Sequence, residues 1–301
     1  MCPKGKNKIM KFGVLTTGYK GILFLKKLNQ APDFVVTYDN KERKDSFHYK
    51  QIIEHCNKNN IPLYKKQAIK DIQAQFDMVN KLFVVGWQFL IKNNLDKVVV
   101  FHDSYLPERR GFAPTISALL DKSQYLGATS FAPSSDLSKG PDYGKVYYRK
   151  KKYIQYPITL KKAFEKVSQL YADMANNILK DCPVPVIIDY KSSSYSLWRD
   201  EEDSRIDWSN DANQIQQKVY SLGYPYMGAT TKYEDKIIYL EEIKVTEDLD
   251  ILNREEHIGK IYKLEDECPH VVCGKGLIKI IIAKDDLDQK IIFNKLRKRF
   301  K

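Results

Sequence analysis

Four short apolar runs, each followed by a stretch of helical spacing, constrain this chain more than any other feature. They occupy residues 10–16, 34–38, 82–85 and 97–101. A strand with one wet face alternates apolar and polar side chains, whereas a strand covered on both faces does not. FVVTY (34–38) and KVVVF (97–101) do not alternate, so both faces of each need cover. The intervening segments supply it. A glycine turn, Thr17-Gly18-Tyr19-Lys20-Gly21, leads into a helical stretch. Helical spacing is also expected over 50–60, 69–78 and 90–95, with a short strand at 61–64. Pro114 suits the first turn of a helix at 115–120. The longest helical pattern, 159–179, carries Phe164, Val167, Leu170, Met174 and Ile178 on one side, with Thr159 as its N-cap. This order predicts an α/β chain built on a mostly parallel sheet with helices on both faces.

The pattern changes after residue 190. Residues 191–203 are polar and include Ser192, Ser193 and Ser194, which places a linker there. One more helix is expected at 212–222. Short strands follow at 236–245, 259–264, 270–273 and 277–283, separated by turn residues, as in a small β-rich domain. The expected division is 1–200 for the first domain and 201–301 for the second. The ending KLRKRFK reads as a solvated basic tail.

Net charge is +12, and it is unevenly placed. Residues 201–301 hold 17 basic and 20 acidic side chains, and residues 1–200 hold 33 and 18. The positive field therefore belongs to the first domain and favours anionic ligands. No apolar run approaches the roughly 18 residues of a membrane span. The basic start, MCPKGKNKIMKFGVL, has too short an apolar stretch for a secretory signal and reads as a lead-in to the first strand. Five cysteines, Cys2, Cys56, Cys182, Cys268 and Cys273, show no CxxC spacing. Reduced thiols and a cytoplasmic location are expected, with no metal site.

The segment HDSYLPERRGFAP (102–114) directly follows the fourth apolar run. In an open parallel sheet, ligands bind beyond the carboxyl ends of the strands. His102 falls there, and imidazole exchanges protons near neutral pH. Arg109 and Arg110 bring charged donors, and Gly111 allows close backbone approach to a ligand.

This segment resembles the HxSxLPxxRGxxP signature of the formyltransferase family, which includes methionyl-tRNA formyltransferases and N-formyltransferases of nucleotide-linked amino sugars. Further matches follow in family order. Val85-Gly86-Trp87-Gln88-Phe89-Leu90-Ile91 resembles the loop that wraps the folate pterin, and Gly127-Ala128-Thr129 the GVT strand. Trp198, Arg205-Ile206-Asp207-Trp208 and the segment from Gly223 to Ala229 resemble the family's RIDW and PxPGA stretches. Gly274-Lys275-Gly276 resembles a turn of its C-terminal domain. The resemblance implies a Rossmann-like fold and 10-formyltetrahydrofolate as formyl donor. It implies donor contacts from Gly86, Trp87, Phe89, Leu90, Arg110 and Gly111.

It also implies an Asn-x-His pair and a later Asp in an LDxG segment. Here the Asn position is Val100. Counting from Gly127, the Asp position is Ser138. His102 is retained as the proton-transfer residue. A substitute carboxylate is sought among Asp103, Asp136 and Asp142, within about 2.6–3.2 Å of His102 or one water away. Neighbouring side chains on an extended segment point to opposite faces, which disfavours Asp103. Asp142, in a turn-like stretch, is preferred to Asp136. Ser104 or a backbone N–H near Gly111 is the expected donor to the developing oxyanion. The implied function is N-formyl transfer to a primary amine on a nucleotide-linked sugar. The alternative is a non-catalytic relative that binds folate or a partner. A methionyl-tRNA enzyme ranks last, because the acidic second domain does not suit an RNA acceptor stem. The sequence leaves the oligomeric state open, a homodimer being what the resemblance to sugar-modifying relatives implies, and neither membrane nor nucleic acid is expected as partner.

Overall fold

The computed structural model describes residues 10–39, 46–70, 72–91 and 93–301. The lead-in reading of the first nine residues and Cys2 lie outside them. In the first half, β1 (Phe12–Thr16) turns through Gly18, at φ +71°, into α1 (Gly18–Lys27). Then come β2 (Phe34–Thr37), α2 (Ser46–Lys58), β3 (Leu63–Lys65), α3 (Gln73–Met78), β4 (Lys81–Val85) and β5 (Val98–His102). After β5 lie β6 (Arg110–Gly111), α4 (Pro114–Leu120), β7 (Tyr125–Pro133), β8 (Gly144–Tyr153), α5 (Leu160–Asp181), β9 (Val186–Ile187) and β10 (Tyr195–Ser196).

Eight of these strands form one sheet in the order β3-β2-β1-β4-β5-β7-β8-β9. The first five run parallel, and β7, β8 and β9 are antiparallel to their neighbours. Every residue of β1 and β2 is buried, as the unalternating sequences require. The sheet grows to opposite sides of β1, with β2 on one and β4 on the other, which is the switch point where open α/β sheets bind ligands. Register fixes what meets there. Thr16 pairs with Val85 and Val85 with Phe101, so the segments after β1, β4 and β5 leave one edge together.

Helix α5 begins after Thr159, whose hydroxyl accepts from the Lys162 N–H at 3.4 Å. Its apolar stripe is core: Phe164, Val167, Tyr171, Met174 and Ile178 are buried. Each such side chain contributes about 1.5–3 kcal/mol by leaving water. Two readings fail here. Residues 90–95 form bends and turns among the described residues, not a helix. Cys182 is disulfide-bonded, whereas Cys56, Cys268 and Cys273 carry the free thiols expected.

The C-terminal part contains α6 (Glu201–Ser204), α7 (Ala212–Leu222), β11 (Ala229–Tyr233), β12 (Lys236–Thr246), β13 (Ile261–Glu265), β14 (Cys268–Val272) and β15 (Leu277–Lys284). Its antiparallel sheet runs β11-β12-β15-β14-β13. The helix at 212–222 starts at Asp211, which forms a reciprocal capping box with Gln214. Trp208 donates to Thr231 Oγ1 at 2.9 Å and packs on Phe300. Phe300 is buried, so the basic ending is not simply a solvated tail: its backbone bonds to Gly259 and Lys232. The chain divides into two compact units. The second holds 198–301 together with 116–123 and 155–162, two pieces that a single boundary at residue 200 leaves out.

Candidate active site

His102 is the last residue of β5 and is buried to 6% exposure. Its ring meets an acceptor at each nitrogen. Nε2 lies 3.0 Å from the Arg109 carbonyl, and Nδ1 lies 3.5 Å from Asp142 Oδ1. A neutral imidazole donates to one of these oxygens, whereas an imidazolium donates to both. The other Asp142 oxygen, Oδ2, accepts the Gly111 N–H at 2.7 Å. Asp142 therefore spans the signature segment and the histidine, at a left-handed φ of +52°, which aspartate adopts more readily than most side chains.

The other carboxylates lie elsewhere. Asp136 is exposed and accepts from the Ser138 N–H and hydroxyl, capping a short turn. Asp103 faces away from the His102 ring contacts, as alternation requires, but it is not idle. It accepts from Lys20 Nζ at 2.7 Å, from the Thr115 hydroxyl at 2.5 Å and from the Tyr171 hydroxyl at 3.3 Å. Burial pushes its carboxyl up, yet the charges of Lys20 and His102 and the hydrogen bonds from Lys20 and Thr115 outweigh that and hold it well below the usual carboxylate range. Burial, with Asp103 alongside, pushes the Tyr171 phenol well above its ordinary value. Lys20, Thr115 and Tyr171 were missed in the sequence because nothing local marks them; only the fold brings them to Asp103.

Both oxyanion donors expected from the sequence are engaged within the chain. Ser104 donates to the Glu108 carbonyl at 2.5 Å, and the Gly111 N–H goes to Asp142. Val100 packs between two apolar clusters and offers no polar atom. The glycines have local reasons. A Cβ on Gly111, at φ +102°, would stand 2.5 Å from the Ser196 carbonyl, so the close approach there is by β10, not a ligand. A Cβ on Gly127 would stand 2.1 Å from the Tyr105 N, so β7 presses directly on the signature segment. Arg110, expected at a ligand, is buried and spends its guanidinium on the Lys139 and Pro141 carbonyls and on Tyr195.

The loop after β4 shares the same edge. Gly86 turns it at φ +64°, and Trp87 packs on the apolar cluster beneath. Trp87 and Phe89 also meet the Tyr38 ring edge-on, and Lys66 sits over the Phe89 face. Yet Phe89 remains 39% exposed and Leu90 62%. Large apolar groups left in water at the carboxyl ends of the strands offer a face against which a ligand's flat ring can lie. Among the described residues, no cluster of His, Cys, Asp or Glu is arranged to hold a metal ion.

Comparison with known proteins bears on this edge and on the second unit. Residues 199–296 match the family described as formyl transferase, C-terminal domain. The methionyl-tRNA formyltransferase of Caldicellulosiruptor saccharolyticus is 25% identical over 274 residues, covering 85% of this chain and 86% of that protein. Among solved structures, an N-formyltransferase from Helicobacter canadensis, in complex with folinic acid and dTDP-3-aminofucose, superposes with a TM-score of 0.60 at 14% identity. That match covers 94% of this chain and all of the other. HypX from Aquifex aeolicus, in complex with tetrahydrofolic acid, gives 0.65 at 15% identity over 94% of this chain, which spans only 46% of HypX.

Proposed function

We propose that this chain is a member of the formyltransferase family and that it moves a formyl group from 10-formyltetrahydrofolate to a primary amine on a nucleotide-linked sugar in the cytoplasm. The reading is carried by one observation: the His102–Asp142 pair, 3.5 Å apart, at the carboxyl end of β5, the sheet edge from which the loop holding exposed Phe89 and Leu90 also leaves. We assign Gly86, Trp87, Phe89 and Leu90 to the donor's ring system. When bound, the donor supplies an activated formyl carbonyl.

An attacking amine must be neutral, so a proton has to leave it. His102 takes that proton, Asp142 stabilises the imidazolium that results, and the proton passes to the donor's nitrogen as its bond to the formyl carbon breaks, which leaves tetrahydrofolate and the formylated amine. The Asp142-Tyr143-Gly144 triplet also fits the D-x-G of the family's LDxG segment, four residues later than counting from Gly127 suggests. On this reading the carboxylate is kept and the loop before it is longer. The amide at position 100 is not kept. For protonated His102 to face charge developing on the carbonyl oxygen, its Nε2–H has to turn from the Arg109 carbonyl, 3.0 Å away. Absence of one such donor typically costs about 100- to 1000-fold in rate, so a slow enzyme is expected.

A sugar acceptor is supported by the dTDP-3-aminofucose of the Helicobacter canadensis structure and by the basic surplus of residues 1–200. A second reading, folate binding without turnover, is favoured by Val100 and by the engaged Ser104 and Gly111 donors. Incubation with 10-formyltetrahydrofolate and dTDP-3-aminofucose, followed by mass spectrometry, tests the proposal. A formylated sugar is expected. Folate binding by calorimetry with no product from any nucleotide-linked amino sugar would leave the binding relative as the better reading.

A further inference from the structure

We infer that Arg110 is the positioning residue for Asp142, the clamp that keeps its carboxylate on His102; this rests on reading those two as the proton-handling pair. Asp142 lies on the loop between β7 and β8. The neck of that loop is closed by the Ser134 N–H on the Tyr143 carbonyl at 2.9 Å. Neck closure fixes where the loop leaves the sheet. It does not fix how the chain enters Asp142 from the residues before it.

Arg110 does that. Its Nε donates to the Pro141 carbonyl at 2.7 Å and its Nη2 to the Lys139 carbonyl at 2.5 Å. Its Nη1 donates to Tyr195 Oη at 2.9 Å and meets Ser193 Oγ at 3.3 Å. The guanidinium also lies against the rings of Tyr143, Tyr190 and Tyr195, at 5.8, 5.3 and 5.1 Å. The neighbouring Gly111 N–H takes Asp142 Oδ2 directly. One dipeptide therefore grips both the backbone leading to Asp142 and its carboxylate.

These hydrogen bonds go to neutral oxygens spread across two segments. A compact ammonium cannot reach them together, whereas a planar fork can. Burying a guanidinium costs several kcal/mol unless its donors are matched, so the loop is held where those carbonyls stay in place. The left-handed φ of Asp142, +52°, and of Gly140, +77°, are the bends that bring the carbonyls to the fork. In this arrangement Arg110 never touches substrate. It acts through the carboxylate.

The experiment follows the His102 ring resonances of isotopically labelled protein, which need no acceptor. Asp142→Asn removes the charge and should move them. Arg110→Gln and Arg110→Lys should move them to the same place, and Tyr195→Phe, at the exposed end of the clamp, part of the way. With 10-formyltetrahydrofolate and dTDP-3-aminofucose, Arg110→Gln should lower kcat about 100-fold, as an ångström of misplacement does, while KM for the donor holds. If Asp142→Asn moves the resonances but Arg110→Gln and Tyr195→Phe leave them in place, the inference is overturned. Should Arg110→Gln fail to fold, Tyr195→Phe decides alone. If Asp142→Asn itself moves nothing, there is no pair to position and the inference falls with it. Absence of transfer by the wild-type protein counts against the proposed acceptor and leaves the resonance result standing.

Discussion

Lys20 Nζ stands 2.7 Å from Asp103 Oδ1, tying the first turn of α1 to the residue that follows β5. Both side chains are largely shielded, so the pair is not a screened surface contact. Lys20→Met leaves a buried charge without its partner and should cost about 3–5 kcal/mol at neutral pH; urea unfolding measures it. The acid response follows from the depressed native carboxyl of Asp103. Its stabilisation is complete above the unfolded value near ~4 and is lost as pH falls from there towards the native value. Urea midpoints between pH 7 and 3 should fall more steeply in the wild type than in Asp103→Asn. Equal slopes would show that this carboxyl is not depressed.

His102→Asn should abolish formyl transfer with little change in melting temperature. Asp142→Asn should retain the contact from the Gly111 N–H, because the amide oxygen still accepts. It should lower kcat by about 100- to 10,000-fold, the range of positioned proton transfer, without altering affinity for 5-formyltetrahydrofolate. Steady-state kinetics beside calorimetry separate the two effects, and wild-type turnover in either variant counts against the assignment.

Phe89 and Trp87 should behave differently although they sit two residues apart. Phe89 is the exposed ring, so Phe89→Ala should weaken 5-formyltetrahydrofolate about tenfold, the worth of an aromatic contact, and leave stability near wild type. Trp87 packs on the apolar cluster below, so Trp87→Ala should cost about 3 kcal/mol. No folate binding at millimolar concentration by the wild-type protein would remove the donor assignment.

Gly111→Ala tests the crossing of β6 and β10. The added methyl would stand 2.5 Å from the Ser196 carbonyl at a φ that side chains rarely adopt. A loss of about 1–3 kcal/mol is expected from backbone strain, together with reduced kcat, because the Gly111 N–H also holds Asp142. A neutral substitution would mean that β10 yields easily.

Much of the first sheet was legible because its inner strands are buried on both faces and carry unbroken apolar runs. β8 was not. Its sequence, GKVYYRKKKY, holds five cations, and the strand lies near the sheet edge with four of its ten residues exposed. The stretch 90–95 has helical spacing but forms bends, since Trp87 and Ile91 anchor the loop to the cluster beneath. His102 was readable from its place after an apolar run. Asp142 was readable only as one of several carboxylates, because counting along the chain assumes a loop length that the 134–143 segment does not keep. Lys20 and Tyr171 lie 83 and 68 residues from Asp103 in sequence. No local pattern carries such a pairing; the sheet order creates it.

The network beneath His102 has a consequence for how turnover is timed. The first turn of α1, the start of α4 and the middle of α5 all bind one carboxylate, Asp103, directly next to the histidine in the chain. That anchoring leaves the imidazole's backbone no slack when substrates arrive. Any rearrangement between empty and loaded states therefore falls to the exposed part of the loop at 86–91, since Arg110 also clamps the segment before Asp142. The histidine acts as a fixed post, and solvent viscosity, which slows loops and not posts, is the variable to which the catalytic cycle should respond.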